Sequence, residues 1–171
     1  MEKGYIQVYT GNGKGKTTAA FGLALRAAMS GKKVYIGQFI KGMAYEETKC
    51  TELIPEIKIE QYGTGCLVGR NPDEDDRKRA KAGLDCCQKA LSSGEYDVVV
   101  MDEITIALYF HLLSEEEIIS VVQSKHDKTE VVLTGRYATE KIIDMADLVS
   151  EIKEIKHYYS QGVMSRKGID C

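Results

Sequence analysis

The chain has 171 residues, 43% hydrophobic and 29% charged, the balance of an ordinary soluble globular domain with enough apolar content for one core. Its 23 basic and 26 acidic residues leave a net charge of −3, which argues against a general nucleic-acid binder, and no apolar run approaches the roughly 18 residues of a membrane span. Cysteines 50, 66, 86, 87 and 171 form no C-x-x-C pair and His111, His126 and His157 are scattered, so free thiols are expected and a zinc site is not. Met1-Glu2-Lys3-Gly4 runs straight into a strand-like segment without a signal peptide, and a cytoplasmic protein is expected.

In chain order, strand-like apolar runs are predicted at Gly4–Thr10, Lys33–Phe39, Ile57–Tyr62, Tyr96–Met101, Glu130–Thr134 and Leu148–Ile152. Val98-Val99-Val100-Met101 is apolar on both faces, as a central parallel strand should be. Between the first two runs, Lys16–Ser30 carries helix-forming Ala, Leu and Arg. Asp73–Ser92 begins after Pro72 with Asp73-Glu74-Asp75-Asp76, acidic side chains suited to the positive end of a helix dipole. Ser114-Glu115-Glu116-Glu117 is a capping box that opens a helix toward Val122. The alternation predicts an α/β fold: a single three-layer domain over residues 1–171, with a mostly parallel sheet of about six strands. Ligands in such sheets bind outside the C-terminal strand ends.

The segment after the first strand, Thr10-Gly11-Asn12-Gly13-Lys14-Gly15-Lys16-Thr17-Thr18, supports that expectation with chemistry. Its glycines let several backbone N–H groups converge on phosphate oxygens. Lys16 adds a point charge, Thr17 offers a hydroxyl to Mg²⁺, and the following helix contributes its N-terminal dipole. Thr10 stands where the usual pattern has glycine, and Lys14 builds a second lysine into the loop. ATP binding is therefore assigned to Gly11, Asn12, Gly13, Lys14, Gly15, Lys16, Thr17 and Thr18, with Lys14 and Lys16 stabilising the triphosphate. Asp102 and Glu103 follow the central apolar strand, where carboxylates commonly meet the metal of such a site; either can face it. Lys41 and Arg136 also fall at predicted strand ends, on the ligand side.

Along nearly its whole length the sequence resembles the P-loop type of corrinoid adenosyltransferase. The resemblance is carried by the phosphate loop through Gly22, by Arg26, and by Gln38-Phe39-Ile40-Lys41-Gly42 and Gly63-Thr64-Gly65. It continues with Asp102-Glu103, Leu133-Thr134-Gly135-Arg136, Ala146–Glu151, Lys156-His157 and Gly168-Ile169-Asp170. The resemblance implies that a cob(I) corrinoid attacks the ribose C5′ of ATP and that triphosphate leaves whole. It implies a RecA-like P-loop NTPase domain, Thr17 and Glu103 as metal holders, Arg26 near the nucleoside, and Gly63, Thr64, Gly65, Cys66 and Val68 toward the corrinoid; by their strand-end positions Arg136 is expected at the nucleotide or the corrinoid and Lys41 at the corrinoid. It also implies a homodimer and a flavoprotein reductant.

Cys66 and Val68 stand where the family has large aromatic residues that displace the corrinoid's lower ligand, so Tyr62 or Met43 becomes a candidate for that task. His157 is expected to be structural. A small-molecule kinase or ATPase, and a carrier that binds ATP and corrinoid without catalysis, are the alternatives.

Overall fold

In the computed structural model, which describes residues 2–43, 45–65 and 70–170, the side chains of the central apolar run divide between two cores. Val98 and Val100 face one cluster and Val99 and Met101 the other, as the two-residue period of a strand requires. Strand β4 (Val98–Asp102) is buried at every position and lies inside a six-stranded sheet. The others are β1 (Ile6–Thr10), β2 (Val34–Gln38), β3 (Ile57–Gln61), β5 (Glu130–Thr134) and β6 (Leu148–Glu151), in the order β3-β2-β4-β5-β1-β6. Every pairing is parallel, so the expected mostly parallel sheet is wholly so among the described residues. All six predicted strands form, each within a few residues of its expected limits.

Helix α1 (Lys16–Met29) covers one face of the sheet with an alanine surface, Ala20, Ala24, Ala27 and Ala28, against Val34, Ile36, Val100 and Val132. Small side chains bring this helix close to the strands and so set its N-terminus directly over the end of β1. On the other face lie α2 (Glu74–Ser92), α3 (Ile104–Tyr109), α4 (Glu115–Gln123) and α5 (Glu140–Asp144). Both capped starts are realised. Asp73 and Asp76 exchange side-chain and backbone bonds at α2, and Ser114 and Glu117 do so at α4, satisfying N–H groups that a helix start leaves without partners. The two short helices α3 and α5 were not foreseen. Ile104-Thr105-Ile106 is β-branched and reads as strand, and the fold overrides that preference by burying Ile104 and Ala107.

Parallel pairing places all six C-terminal strand ends on one edge, where the next segments must turn away. The β2 and β3 exits do so back to back. Gly63 N–H donates to the Lys41 carbonyl at 3.0 Å, and a Cβ on Gly63 would lie 2.0 Å from the Ile40 carbonyl oxygen. Beneath them, the Tyr35 hydroxyl (2.7 Å) and Tyr62 hydroxyl (2.5 Å) both donate to Glu60 Oε2, and Lys58 Nζ sits 2.8 Å from Oε1.

Lys58, then the Tyr62 and Tyr35 hydroxyls, hold the Glu60 carboxyl down at about 2 against an ordinary 4.5. Because the folded value is depressed, the stability it contributes is complete above the unfolded value and is lost as the pH falls from 4.5 toward about 2. Glu60→Gln is expected to flatten the acid limb of a Tm-against-pH curve in that window. An unchanged limb would show that the tyrosine–carboxylate cluster carries no proton-linked stability.

Candidate active site at the strand ends

The turn from β1 into α1 has no side-chain cap. Gly15 occupies the N-cap position at φ 123°, so the first N–H groups of α1 point outward without an internal acceptor. Gly11, at φ 99°, adopts a backbone conformation that favours glycine. Gly13 N–H is held by the Ile152 carbonyl at 2.7 Å. The loop opens into a cavity of about 770 Å³, lined by Asn12 to Thr18 and by Lys41, Glu103 and Arg136. The N–H dipoles and cations gathered at this helix N-terminus suit a polyanion.

The two adjacent carboxylates have different surroundings. Asp102 is fully buried and accepts from four donors: Thr17 Oγ1 (2.9 Å) and Thr134 Oγ1 (2.7 Å) at Oδ1, and Lys41 Nζ (2.9 Å) and Gln38 Nε2 (3.2 Å) at Oδ2. Glu103 is partly buried, lines the cavity and sits at φ 60°, an uncommon backbone region for a residue with a side chain. Its N–H is fixed by Thr134 Oγ1 at 2.9 Å. Burial, then the Asp102 charge, raises the Glu103 carboxyl above its ordinary value against the pull of Lys41, Lys16 and Arg136. Of the pair, the free donor facing the cavity is Glu103, while Asp102 is saturated and receives the Thr17 proton. That bond turns the Thr17 oxygen's lone pairs away from Asp102.

A hydroxyl, a carboxylate and phosphate oxygens are the hard donor set that suits Mg²⁺, which is usually held by one or two carboxylates plus substrate phosphates. No group of three or more His, Cys, Asp or Glu that could hold a metal by itself occurs among the described residues.

The lysines are arranged by the same network. Burial lowers the Lys16 ammonium, with Glu103 opposing the shift and Arg136 adding to it, and Nζ is parked on the Gly13 carbonyl at 2.7 Å. Burial would also lower Lys41, but Asp102, Glu103 and Glu47 outweigh it and hold that ammonium above its ordinary value. Lys41, expected toward the corrinoid, therefore belongs to the Asp102–Thr17 centre, because β2 and β4 are neighbours and their ends meet. Lys14 lines the cavity as expected, but its ammonium is engaged by the Ile169 carbonyl (2.9 Å) and Asp170 (3.1 Å).

Arg136 joins the cavity wall. Arg26 does not: it is exposed in the last turn of α1, about 15 Å of helix beyond Lys16 at 1.5 Å per residue. Gly63, Thr64 and Gly65 lie on the same strand-end edge, outside the cavity lining. Thr64 donates to Asp76, which also binds Arg70 at 2.6 Å. Cys66 and Val68 fall outside the described residues.

Tyr62 is spent elsewhere, with its ring against Gly83 and Phe39 and its hydroxyl on Glu60; Met43 is exposed. His157 lines the cavity and caps the turn that follows, its Nδ1 accepting from Tyr159 N–H at 3.0 Å. Missed in the sequence were Gln38 and Thr134 as Asp102 donors and the chain from Tyr158 to Asp170 as a cavity wall. A polar residue ending an otherwise apolar strand was the available signal for the first two; for the third it was the resemblance at Gly168-Ile169-Asp170.

Phosphate loop, capless helix start and a carboxylate–hydroxyl pair one strand apart make this a P-loop nucleotide-binding fold. The model of the family described as ATP:corrinoid adenosyltransferase BtuR/CobO/CobP matches residues 2–171. The corrinoid adenosyltransferase of Escherichia coli K12 is 36% identical over 170 residues, covering 99% of this chain and 86% of that protein. Corrinoid adenosyltransferase CobA of Salmonella typhimurium is 38% identical over 170 residues, with the same 99% and 86% coverage. The crystal structure of the RadB recombinase superposes with a TM-score of 0.54 at 16% identity, over 91% of this chain and 77% of that one, a likeness of fold alone that agrees with the RecA-like expectation. The chain belongs to the ATP:corrinoid adenosyltransferase family.

Removing the saturated carboxylate strands Lys41 and several donors in the interior. Asp102→Ala is therefore expected to lower unfolding stability in urea by about 3–5 kcal/mol, and Glu103→Gln to change it by less than about 1 kcal/mol. Equal losses would show that the two carboxylates share one structural role.

Proposed function

We propose that this chain transfers the 5′-deoxyadenosyl group of ATP to the cobalt of a cob(I) corrinoid, using the residues around the strand-end cavity. The observation that carries the reading is that Lys16, the loop N–H groups and Arg136 surround one cavity on a chain of this family. The corrinoid, as substrate, brings its own nucleophile. Its Co(I) electron pair forms the Co–C5′ bond as the C5′–O bond breaks, cobalt passes formally from +1 to +3, and triphosphate departs with the electron pair. No protein base is needed, so the protein's work is to align C5′ with cobalt and to stabilise charge growing on the leaving group.

In this reading Gly15, Lys16, Thr17 and Thr18 hold the triphosphate, with Gly13 braced against Ile152 behind them, and Arg136 contacts it from just beyond β5. Lys16 leaves the Gly13 carbonyl when phosphate oxygens arrive. Thr17 and Glu103 would hold Mg²⁺, which supplies charge neutralisation on the phosphates. Asp102 orients Thr17 by accepting its proton, and Lys41 balances the charge of Asp102. The Gly63–Gly65 loop faces the corrinoid. A cytoplasmic setting, a flavoprotein electron donor and pairing into a homodimer belong to the same proposal; the edge strand β6 leaves Leu148 and Val149 exposed for such pairing.

The test is an anaerobic product assay with MgATP and chemically reduced cob(I)alamin. Adenosylcobalamin and triphosphate in equal amounts are expected. ADP without a Co–C bond would overturn the reading in favour of a kinase or ATPase, and binding of both ligands without turnover would make the chain a carrier. Lys16→Ala is expected to lower kcat/KM for ATP by about a hundredfold or more, as loss of a preorganised charge at a leaving group does.

A further inference from the structure

After β6 the chain crosses the mouth of the cavity, and the wall it builds there differs in chemistry from the phosphate side. Tyr159, Met164 and Ile169 line the cavity yet stay 67%, 70% and 62% exposed. Large apolar side chains left open to a cavity beside a polyanion-binding loop are unpartnered surface awaiting an apolar ligand.

Polar anchors hold this wall in place. The Asp170 carboxylate accepts from the Tyr158 hydroxyl, from Arg166 N–H (3.1 Å) and Nε (3.0 Å), and pairs with Lys14 of the phosphate loop at 3.1 Å. The Arg166 guanidinium lies 4.7 Å from the centre of the Tyr158 ring. On the far side, Lys167 reaches Glu46 at 3.5 Å, so the segment bridges the cavity from the phosphate loop to the 3₁₀ turn Glu46–Glu52.

We propose that the segment from Tyr158 to Asp170 is the nucleoside-recognising wall of the ATP site, with Tyr159, Met164 and Ile169 against the adenine and Asp170 holding the wall in register through Lys14. The occupant follows from continuity. A molecule whose triphosphate is seated on Gly15–Thr18 has only its base and ribose left to place, and the apolar wall shares the same cavity. Asp170 is a positioning residue: it acts through Lys14, Arg166 and Tyr158 rather than on the ligand.

The inference rests on the phosphate loop being the triphosphate site, and its test needs no turnover. Binding of ATP and of inorganic tripolyphosphate is compared by calorimetry in excess Mg²⁺ for the unmodified protein, Met164→Ala, Ile169→Ala and Asp170→Asn. Met164 and Ile169 are mostly exposed, so their truncation leaves folding intact. Each of the two alanine variants is expected to weaken ATP by about three- to tenfold while tripolyphosphate stays within about twofold. Asp170→Asn is expected to weaken ATP and not tripolyphosphate, because release of Lys14 leaves its charge free for phosphate.

Equal weakening of both ligands, or no change in either, would overturn the proposal. So would a loss of hydroxocobalamin binding by the same variants with ATP affinity intact, which would assign the wall to the corrin ring. Discrimination of ATP from tripolyphosphate without any adenosyl transfer would instead sink the transferase reading and leave the nucleoside wall standing.

Discussion

Asp102 is a carboxylate with no access to solvent, and an unpaired charge at that position would cost several kcal/mol. The protein satisfies it with donors from four different segments: Gln38 at the end of β2, Lys41 just beyond it, Thr134 at the end of β5 and Thr17 in the first turn of α1. Gln61 extends the chain of bonds to β3 by donating to Gln38 at 2.9 Å. The strand order sets who can reach. Because β5 lies between β1 and β4, Thr134 spans the gap, accepting from the Glu103 backbone while donating to Asp102. Displace Asp102, and the orientation of Thr17, Lys41 and Glu103 goes with it.

This arrangement separates two tasks that adjacent acidic residues perform together in name only. A residue held from every side cannot also exchange ligands, and a residue that exchanges ligands cannot stitch a sheet edge together. The positive φ at Glu103 is what turns the second carboxylate out of line with the first. With Lys41 committed to Asp102 and Lys14 to Asp170, the cations left to the cavity among the described residues are Lys16, after the β1 loop, and Arg136, after β5.

The six strands and the two capped helices were legible because their signals are local. A run such as Val98–Met101 must be buried on both faces, and Ser114 with Glu117 satisfies backbone groups within four residues. The phosphate loop was legible for the same reason: its glycines, lysine and threonine act within nine positions. The pairing of Lys41 with Asp102 was not legible, because the two are 61 residues apart and only the pairing of β2 with β4 brings them together. Arg26 rested on likeness alone, and the rise of α1 places it in the last turn of the helix, outside the cavity lining. The segment from Tyr158 to Asp170 has no periodicity, its regular structure being a 3₁₀ turn of four residues, and its position depends on ion pairs with Lys14 and Glu46 over more than a hundred residues of chain.

The glycines of the phosphate loop have a second face. A Cβ at Gly11 would lie 2.4 Å from the Ile152 carbonyl oxygen, and one at Gly13 would lie 2.8 Å from the same atom and from Lys153. The anion-binding side of the loop asks for backbone freedom; the opposite side asks for thinness, because the chain leaving β6 is pressed against it. Gly11, at φ 99°, meets both demands; at Gly13 the demand is for thinness. A side chain there would push the outgoing chain aside before it could obstruct a phosphate, so an alanine at Gly13 would be felt first beyond residue 152, as a shift in where the terminal segment starts its course. Tolerance of this loop to substitution is in that sense governed from behind.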